Sequence, residues 1–149
     1  MWSDVDLQGE VFRVVPIGVV EHADESARIK IFPEFCDGLY KLNEFSHVIV
    51  LYWFHERDSE KERSVLRVVP KRHLAKQEVG VFASRSPSRP NPIGLCVVRL
   101  VKVEGCVLVV EGLDAFAGSP VVDVKPYLPR SDFISNVKVP DWTSHGNTT

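Results

Sequence analysis

The chain has 149 residues, of which 44% are hydrophobic and 26% charged, and its net charge is −2. This composition is that of one folded globular domain and excludes a collagen-like or disordered chain. Its apolar runs are shorter than the roughly 20 residues of a membrane span, and residues 1–4 lack the basic and apolar regions of a secretion signal. We therefore expect a cytoplasmic protein without a membrane segment.

Runs of β-branched residues with period-2 alternation dominate the chain, whereas helical periodicity is scarce. The pattern predicts a mainly β protein that forms a single small β-barrel with one or two short helices. Leu39, Leu42 and Phe45 recur every three residues and predict a short helix over residues 38–45. The predicted strands span residues 11–20, 27–32, 47–55, 63–69, 79–84, 94–103, 107–112 and 120–127.

The clearest hairpin joins the sixth and seventh of these strands around Glu104 and Gly105. We expect the barrel domain to take residues 1–143. The polar residues 144–149 are expected to form a disordered tail.

The three cysteines, Cys36, Cys96 and Cys106, form no C-x-x-C pair, and any disulfide scheme leaves one of them over. This pattern fits neither a zinc knuckle nor the disulfide framework of a secreted protein. The sequence also lacks the glycine motifs of a Rossmann dinucleotide site and of a P-loop. We therefore expect buried free thiols and no metal site.

Positive charge is concentrated in residues 61–89, which hold eight Lys or Arg against two Glu, whereas the rest of the chain holds ten against eighteen acidic residues. Such a segment is either a solvated loop or strand face, or a site for a phosphate-bearing ligand. Its densest part has Pro87, Pro90 and Pro92 within six residues, which predicts an ordered loop without helix. Arg85 and Arg89 on this loop can present guanidinium groups to a carboxylate or phosphate, or simply lie in solvent beside a structural turn.

The last predicted strand carries a second set of polar residues. Alternation places Asp123, Lys125 and Tyr127 on one face and Val122 and Val124 on the other. The polar face is either the solvated side of the strand or a site that offers a base, a charge partner and a stacking platform.

Five motifs in order resemble the TsaA/TrmO-like family, and residues 44–47 and 53–55 match it as well. The motifs are FASRSP at 82–87, RPNPIGL at 89–95, GLD at 112–114, GSPV at 118–121 and DVKPY at 123–127. The similarity covers roughly residues 16–131. It implies a small β-barrel that works as a homodimer, binds S-adenosylmethionine and methylates the exocyclic amine of threonylcarbamoyl-adenosine beside the anticodon of a threonine tRNA.

The resemblance also assigns residues to the methyl donor. They are His55, Glu56, Arg85, Leu95, Gly112, Leu113 and Asp114. The family's glutamine after the histidine is Glu56 here, and the Pro-Arg-Gln motif of bacterial members is absent between Val20 and Ile29.

Methylation of a urea-like amine benefits from a base, for which Asp123 and Tyr127 are the candidates. The carboxylate and phosphates of the RNA need polar and cationic partners. For these we predict Arg89, Asn91, Lys125, Lys71 and Arg72. Two other functions stay open: a barrel that binds a nucleotide or small anion without catalysis, and a dimeric interaction module with contact patches at Trp53 and Trp142.

Overall fold

Antiparallel strands form a closed barrel in the computed structural model, which describes residues 6–23, 25–71 and 76–143. The strands are β1 (Gly18–Ala23), β2 (Ser26–Ile31), β3 (His47–Trp53), β4 (Arg67–Val68), β5 (Val79–Gly80), β6 (Ile93–Glu104), β7 (Val107–Glu111) and β8 (Pro120–Pro126). The order around the barrel is β1-β2-β7-β6-β3-β8, whereas β4 and β5 form a separate two-stranded sheet. The prediction of a mainly β chain with a single barrel is confirmed.

Short helical segments join these strands within the described ranges. The α-helices are α1 (Glu60–Arg63) and α2 (Pro129–Asp132), and the 3₁₀ turns are Pro33–Leu39, Leu42–Glu44, His55–Arg57, Val81–Ala83 and Asp141–Thr143. No helix in the part of the chain described here is long and apolar enough to cross a membrane. The tail predicted at residues 144–149 lies outside the described residues.

The interior of the barrel is filled by side chains that alternate along the strands. On β3, Val48, Val50 and Tyr52 are buried, and they meet Ile29 of β2 and Leu108 of β7 in one cluster. Each fully buried aliphatic side chain of this kind stabilises the fold by about 1.5–3 kcal/mol. Because the interior is packed, a ligand site has to lie at an end of the barrel or on its outer face.

The two ends of the barrel are built differently. β6 runs antiparallel to its neighbours β3 and β7, so β6 begins at the end of the barrel where β3 and β7 end. We call this end the loop end. The opposite end, the capped end, is covered by the 3₁₀ turns Pro33–Leu39 and Leu42–Glu44, of which Leu39 and Leu42 pack against the core. The single helix predicted over residues 38–45 is wrong, because Lys41 adopts a left-handed φ of 71° and interrupts it.

Three predicted strands differ from the structure by more than two residues at one end or both. β1 begins at Gly18 rather than at residue 11, and the preceding Pro16 has no N–H to give to a ladder. The strand predicted over 63–69 is reduced to β4, because Ser59 accepts a hydrogen bond from the Glu62 N–H at 3.1 Å and starts α1 as its N-cap. The strand predicted over 79–84 ends after Gly80, where the turn Val81–Ala83 begins.

The expectation of three free thiols is wrong for two of the cysteines. Cys36, on the first capping turn, and Cys106, in the turn between β6 and β7, form a disulfide with a Cα–Cα distance of 5.3 Å. An odd number of cysteines leaves one over but does not exclude one bridge, and only the folding of the cap over the barrel brings these two together. Cys96 is the free cysteine and is partly buried.

Candidate functional site at the loop end

Three segments that carry predicted site residues meet at the loop end. They are the turn His55–Arg57 after β3, the proline-rich loop 84–92 before β6, and the segment 112–119 after β7. The first two are joined directly, since the Phe54 N–H donates to the Pro92 carbonyl at 2.7 Å. Antiparallel pairing of β3, β6 and β7 therefore assembles parts of the chain that lie more than 60 residues apart in the sequence, as for Tyr52 and Asp114 at 62 residues.

An aromatic pair and a carboxylate line the mouth of the barrel at this end. The Tyr52 hydroxyl donates to Asp114 Oδ1 at 2.9 Å, which fixes the orientation of that carboxylate. The rings of Tyr52 and Phe54 pack edge to face with centroids 5.3 Å apart. They also cover Gly94, where a Cβ atom would lie 2.6 Å from Tyr52 Cζ. Only glycine therefore fits at position 94 without displacing the ring that holds Asp114.

Cys96 connects the segment after β7 to the barrel. Its thiol donates to the Gly112 carbonyl at 3.2 Å. Burial raises the pKa of the Cys96 thiol, the Asp114 carboxylate raises it further, and the Arg85 guanidinium acts in the opposite direction. The thiol thus contacts Gly112 and lies where the charges of Asp114 and Arg85 both act on it, and it stays protonated at neutral pH.

Two arginines hold the proline-rich loop in place: Arg89, which lies in the loop, and Arg63 of α1. Arg89 Nη1 donates to the carbonyls of Ser84 at 3.1 Å and Ser86 at 2.9 Å. Arg63 of α1 donates to the Pro90 carbonyl at 2.8 Å and to Asn91 Oδ1 at 3.3 Å. Arg89 and Asn91, both predicted to contact substrate, therefore have an additional role in shaping the loop.

A buried hydroxyl links this loop to two other elements. Ser88 is 5% exposed, accepts a hydrogen bond from Arg57 Nη1 at 2.9 Å and donates to Glu62 Oε2. Arg57 and Glu62 also form an ion pair at 3.5 Å. The Ser88 hydrogen bond lowers the pKa of Glu62, and the charges of Arg57 and Lys61 act in the same direction. We call Arg57, Glu62 and Ser88 the clamp, because they tie the turn His55–Arg57 and α1 to the proline-rich loop.

The clamp leaves Arg85 accessible. Arg85 is exposed and, among the described residues, has no hydrogen bond or ion pair. His55 and Glu56 are also exposed and begin the turn that Arg57 anchors. These side chains are therefore free to contact a ligand while the backbone that carries them is fixed.

The predicted polar face of β8 is modified by a β-bulge. Leu51 of β3 pairs with Asp123 of β8, but the next residue, Tyr52, pairs with Val121, so Val122 is the extra residue. As a result, Val121 and Val124 contact the core, instead of the predicted pair Val122 and Val124. Because the bulge adds one residue, the simple alternation predicted along this strand is wrong at Val122.

Asp123 and Lys125 still lie together, and their side chains form an ion pair at 3.0 Å. Leu51 of β3 pairs with Leu95 of β6 on one side and with Asp123 of β8 on the other. Neighbouring strands lie about 4.8 Å apart, so Asp123 is about 10 Å from Leu95 across the outer face. Tyr127 is farther away, because its N–H bonds to the His47 carbonyl near the capped end.

The remaining predicted contacts lie in the basic segment. The Lys71 carbonyl accepts a hydrogen bond from Lys76 Nζ at 2.6 Å, and Arg67 pairs with Glu78 at 2.8 Å. Arg72 lies outside the described residues. In the described ranges, no group of three or more His, Cys, Asp or Glu side chains is placed to hold a metal ion.

Several residues of the site were not predicted from the sequence. Tyr52 had a recognisable signal, since its hydroxyl interrupts the apolar inward row of Val48 and Val50. The clamp residues had none, because each lies in a polar stretch where no pattern distinguishes it from solvated neighbours.

Comparison with known proteins identifies the family of the chain. The sequence model described as "tRNA-methyltransferase O N-terminal domain" matches residues 12–133. An S-adenosyl-L-methionine-binding protein of Archaeoglobus fulgidus is 47% identical over 116 residues, which cover 78% of this chain and 79% of that protein. The human tRNA (adenine(37)-N6)-methyltransferase is 41% identical over 113 residues, which cover 76% of this chain and 25% of the human protein.

The fold agrees with this relationship. A crystal structure of TrmO from Pseudomonas aeruginosa matches with a TM-score of 0.71 at 28% identity, over 87% of this chain and 61% of that one. The chain therefore spans most of the archaeal relative but only part of the bacterial and human proteins. The matched family model covers most of the chain and includes all five motifs, and on this basis the protein belongs to the family of tRNA-methyltransferase O N-terminal domains.

Proposed function

We propose that the protein is an S-adenosylmethionine-dependent methyltransferase that acts in the cytoplasm on the exocyclic amine of threonylcarbamoyl-adenosine, next to the anticodon of a tRNA. The observation that carries this proposal is the convergence of Gly112 and Asp114 on Cys96 and Tyr52 at the loop end, where the proline-rich loop that holds Arg85 enters β6. Relatives named as S-adenosyl-L-methionine-binding proteins and as a tRNA methyltransferase support the donor and the substrate class.

The residues at the loop end suit a cationic donor with a carboxylate. S-adenosylmethionine supplies an activated methyl group on a sulfonium that carries positive charge. The Asp114 carboxylate, oriented by Tyr52, and the aromatic rings beside it favour a cation. The exposed Arg85 guanidinium can bind the carboxylate of the donor. Glu56 accepts hydrogen bonds but, when ionised, donates none, so it suits ribose hydroxyls rather than a carbonyl.

Methyl transfer requires the acceptor and the methyl group in line, so positioning contributes much of the acceleration. The clamp serves this purpose, because it fixes the loop of Arg85 and the turn of His55 relative to each other. Of the two candidate bases, Asp123 lies closer to Leu95 than Tyr127 does. We assign proton removal to Asp123, and binding of the carboxylate and phosphates of the RNA to Lys125, Lys71 and the basic segment.

We further propose that the enzyme works as a homodimer. The outer face of β6 exposes a row of apolar side chains, Ile93, Leu95 and Val97, which are each 40–45% exposed. An apolar row on a sheet face is typical of an interface between copies. Sedimentation analysis of the wild type and of Val97→Glu tests this assignment: the proposal predicts a dimer that the variant converts to a monomer, and a monomeric wild type contradicts it.

The activity is tested with two tRNA pools, one carrying threonylcarbamoyl-adenosine and one lacking it. Each pool is incubated with S-adenosylmethionine and the protein, digested, and its nucleosides weighed by mass spectrometry. We expect a gain of one methyl group in the modified pool alone. At a donor concentration near the wild-type Kd, Asp114→Asn should reduce the gain strongly, whereas Asp37→Asn, which changes an exposed aspartate at the capped end, should not.

A second function is favoured by two departures of the sequence from the family pattern. Glu56 replaces the family's glutamine, and the Pro-Arg-Gln motif is absent. A barrel that binds a nucleotide or small anion without catalysis would show donor binding by calorimetry but no methyl gain in either pool. That combination would replace the enzymatic proposal with this one.

A further inference from the structure

Two phenylalanines are exposed beside the candidate site. Phe82 is 81% exposed and Phe116 is 67% exposed. Phe82 precedes Arg85 by three residues, and Phe116 follows Asp114 by two. Since a chain spans at most about 3.6 Å per residue, the Cα atoms of these pairs lie within about 11 Å and about 7 Å of each other. Both rings therefore belong to the surroundings of the donor residues.

The backbone that carries each ring is fixed. On one side, the Ser84 N–H donates to the Val81 carbonyl at 3.2 Å and closes the turn that holds Phe82. On the other side, the Ser119 N–H donates to the Phe116 carbonyl at 3.1 Å, and the neighbouring Ala115 is 4% exposed. The rings thus extend into solvent from ordered positions.

The surroundings of the two rings distinguish them from an apolar protein contact. Phe82 is followed by Ala83, Ser84 and the exposed Arg85, so its neighbours along the chain are small, polar or cationic. Phe116 is followed by Ala117, Gly118 and Ser119. Isolated aromatic rings in or near a basic segment, here residues 61–89, are the combination that binds unpaired nucleobases, through stacking and attraction of the phosphates.

We propose that Phe82 and Phe116 stack on unpaired bases of the RNA that neighbour the nucleoside carried to the site. This inference rests on the proposed function, since it needs an RNA with an open loop as the substrate. Neither ring is required to touch the methyl donor. The two side chains therefore act on affinity for the RNA and on its orientation, and not on donor binding.

The test compares two RNA probes and six proteins, of which two are tryptophan variants. The probes are a threonine-tRNA anticodon stem-loop and a blunt duplex with the same stem. The other proteins are the wild type, Phe82→Ala, Phe116→Ala and the control Phe12→Ala, whose ring is 76% exposed but precedes β1, which starts at the capped end. Loss of one stacked base should weaken binding of the stem-loop about 5- to 150-fold. Binding of the duplex and of S-adenosylmethionine should not change, and Phe82→Trp and Phe116→Trp should retain stem-loop binding.

Three outcomes would overturn the inference. If the wild type binds the stem-loop and both alanine variants bind it equally well, the rings do not stack on bases. If the alanine variants lose stem-loop binding only together with a change of oligomeric state in sedimentation, the rings belong to an interface between copies. If the wild type binds neither probe, the proposed function itself fails, and the inference fails with it.

Discussion

The two ends of the barrel are closed by different interactions, and this difference separates ligand binding from stability. At the loop end, charged and hydroxyl side chains join three segments through the clamp and the Tyr52–Asp114 hydrogen bond. At the capped end, apolar side chains and the Cys36–Cys106 disulfide cover the core. Changes at the loop end should therefore alter donor binding, and changes at the capped end should alter the free energy of unfolding.

The cavities beside the capping turns lie apart from the predicted donor contacts, but one of them is lined by Asp123, the assigned base. Two open cavities of about 510 Å³ and about 420 Å³ lie beside the capping turns and are lined by residues such as Leu39, Tyr40 and Lys41. Neither cavity is lined by a predicted donor contact. We place the site at the loop end because a carboxylate of fixed orientation, a free guanidinium and an ordered loop identify a binding site better than volume does.

The largest effect is expected from the disulfide. The bond closes a loop of 70 residues, which stabilises the fold by about 4 kcal/mol in the chain-entropy account. The double variant Cys36→Ser, Cys106→Ser should therefore lower the Tm by roughly 8–16 °C in a calorimetric scan. Its Kd for S-adenosylmethionine should match that of the wild type at a temperature where both are folded. Weaker donor binding in this variant would show that the two ends are coupled.

Removal of one charge at the loop end should have the next largest effect. Asp114→Asn keeps an oxygen that accepts from the Tyr52 hydroxyl, but it removes the negative charge. Loss of a charged partner costs about 1.5–3 kcal/mol, so the Kd for the donor should rise about 10- to 150-fold in calorimetry. The Tm should change little. An unchanged Kd would remove Asp114 from the donor site.

The clamp should contribute a smaller effect. Ser88→Ala removes the hydroxyl that joins Arg57 to Glu62, at a cost of about 1 kcal/mol, or about fivefold in donor affinity. Ser88→Thr keeps the hydroxyl and should restore the affinity. As a control, Ser64→Ala removes an exposed hydroxyl that bonds to the Glu60 carbonyl at the end of α1 and does not join the clamp. Equal donor affinity in Ser88→Ala and the wild type would show that the clamp does not position the donor residues.

The smallest effect is a pH dependence at the clamp. The Ser88 hydrogen bond holds the pKa of Glu62 below 4.5, so the folded state binds this proton less readily than the unfolded state. The stability that Glu62 contributes is therefore fully present above pH 4.5 and is lost as the pH falls through the lowered pKa. The Tm difference between the wild type and Glu62→Gln should be present at about pH 6 and decrease toward about pH 3. A difference that is constant over this range would contradict the account.

The barrel could be predicted because its signal is local. Alternation along residues 47–53 determines which side chains of β3 face the core, and the hairpin between β6 and β7 follows from its short turn. The family motifs also predict Arg85 and Asp114 as contacts of the methyl donor, although the two residues are far apart in the sequence. These features depend on patterns within a few residues or on resemblance over most of the chain.

The features that could not be predicted depend on contacts between distant residues. The disulfide joins positions 70 residues apart, and the bulge opposite Leu51 appears only once β8 pairs with β3. The clamp brings Ser88 to Arg57, 31 residues away, in a region where charged residues are otherwise solvated. Local pattern contains no information on these pairings, because each is decided by how the finished barrel positions its loops.

The central claim is that the methyl donor binds at the loop end of the barrel. It is tested most directly by titrating ¹⁵N-labelled protein with S-adenosylhomocysteine and following the backbone amide signals by NMR. The account predicts that the amides of Arg85, Gly112 and Asp114 shift, while those of Gly38 and Gly105 at the capped end do not. Shifts confined to Gly38 and Gly105, with Gly112 and Asp114 unchanged, would contradict it.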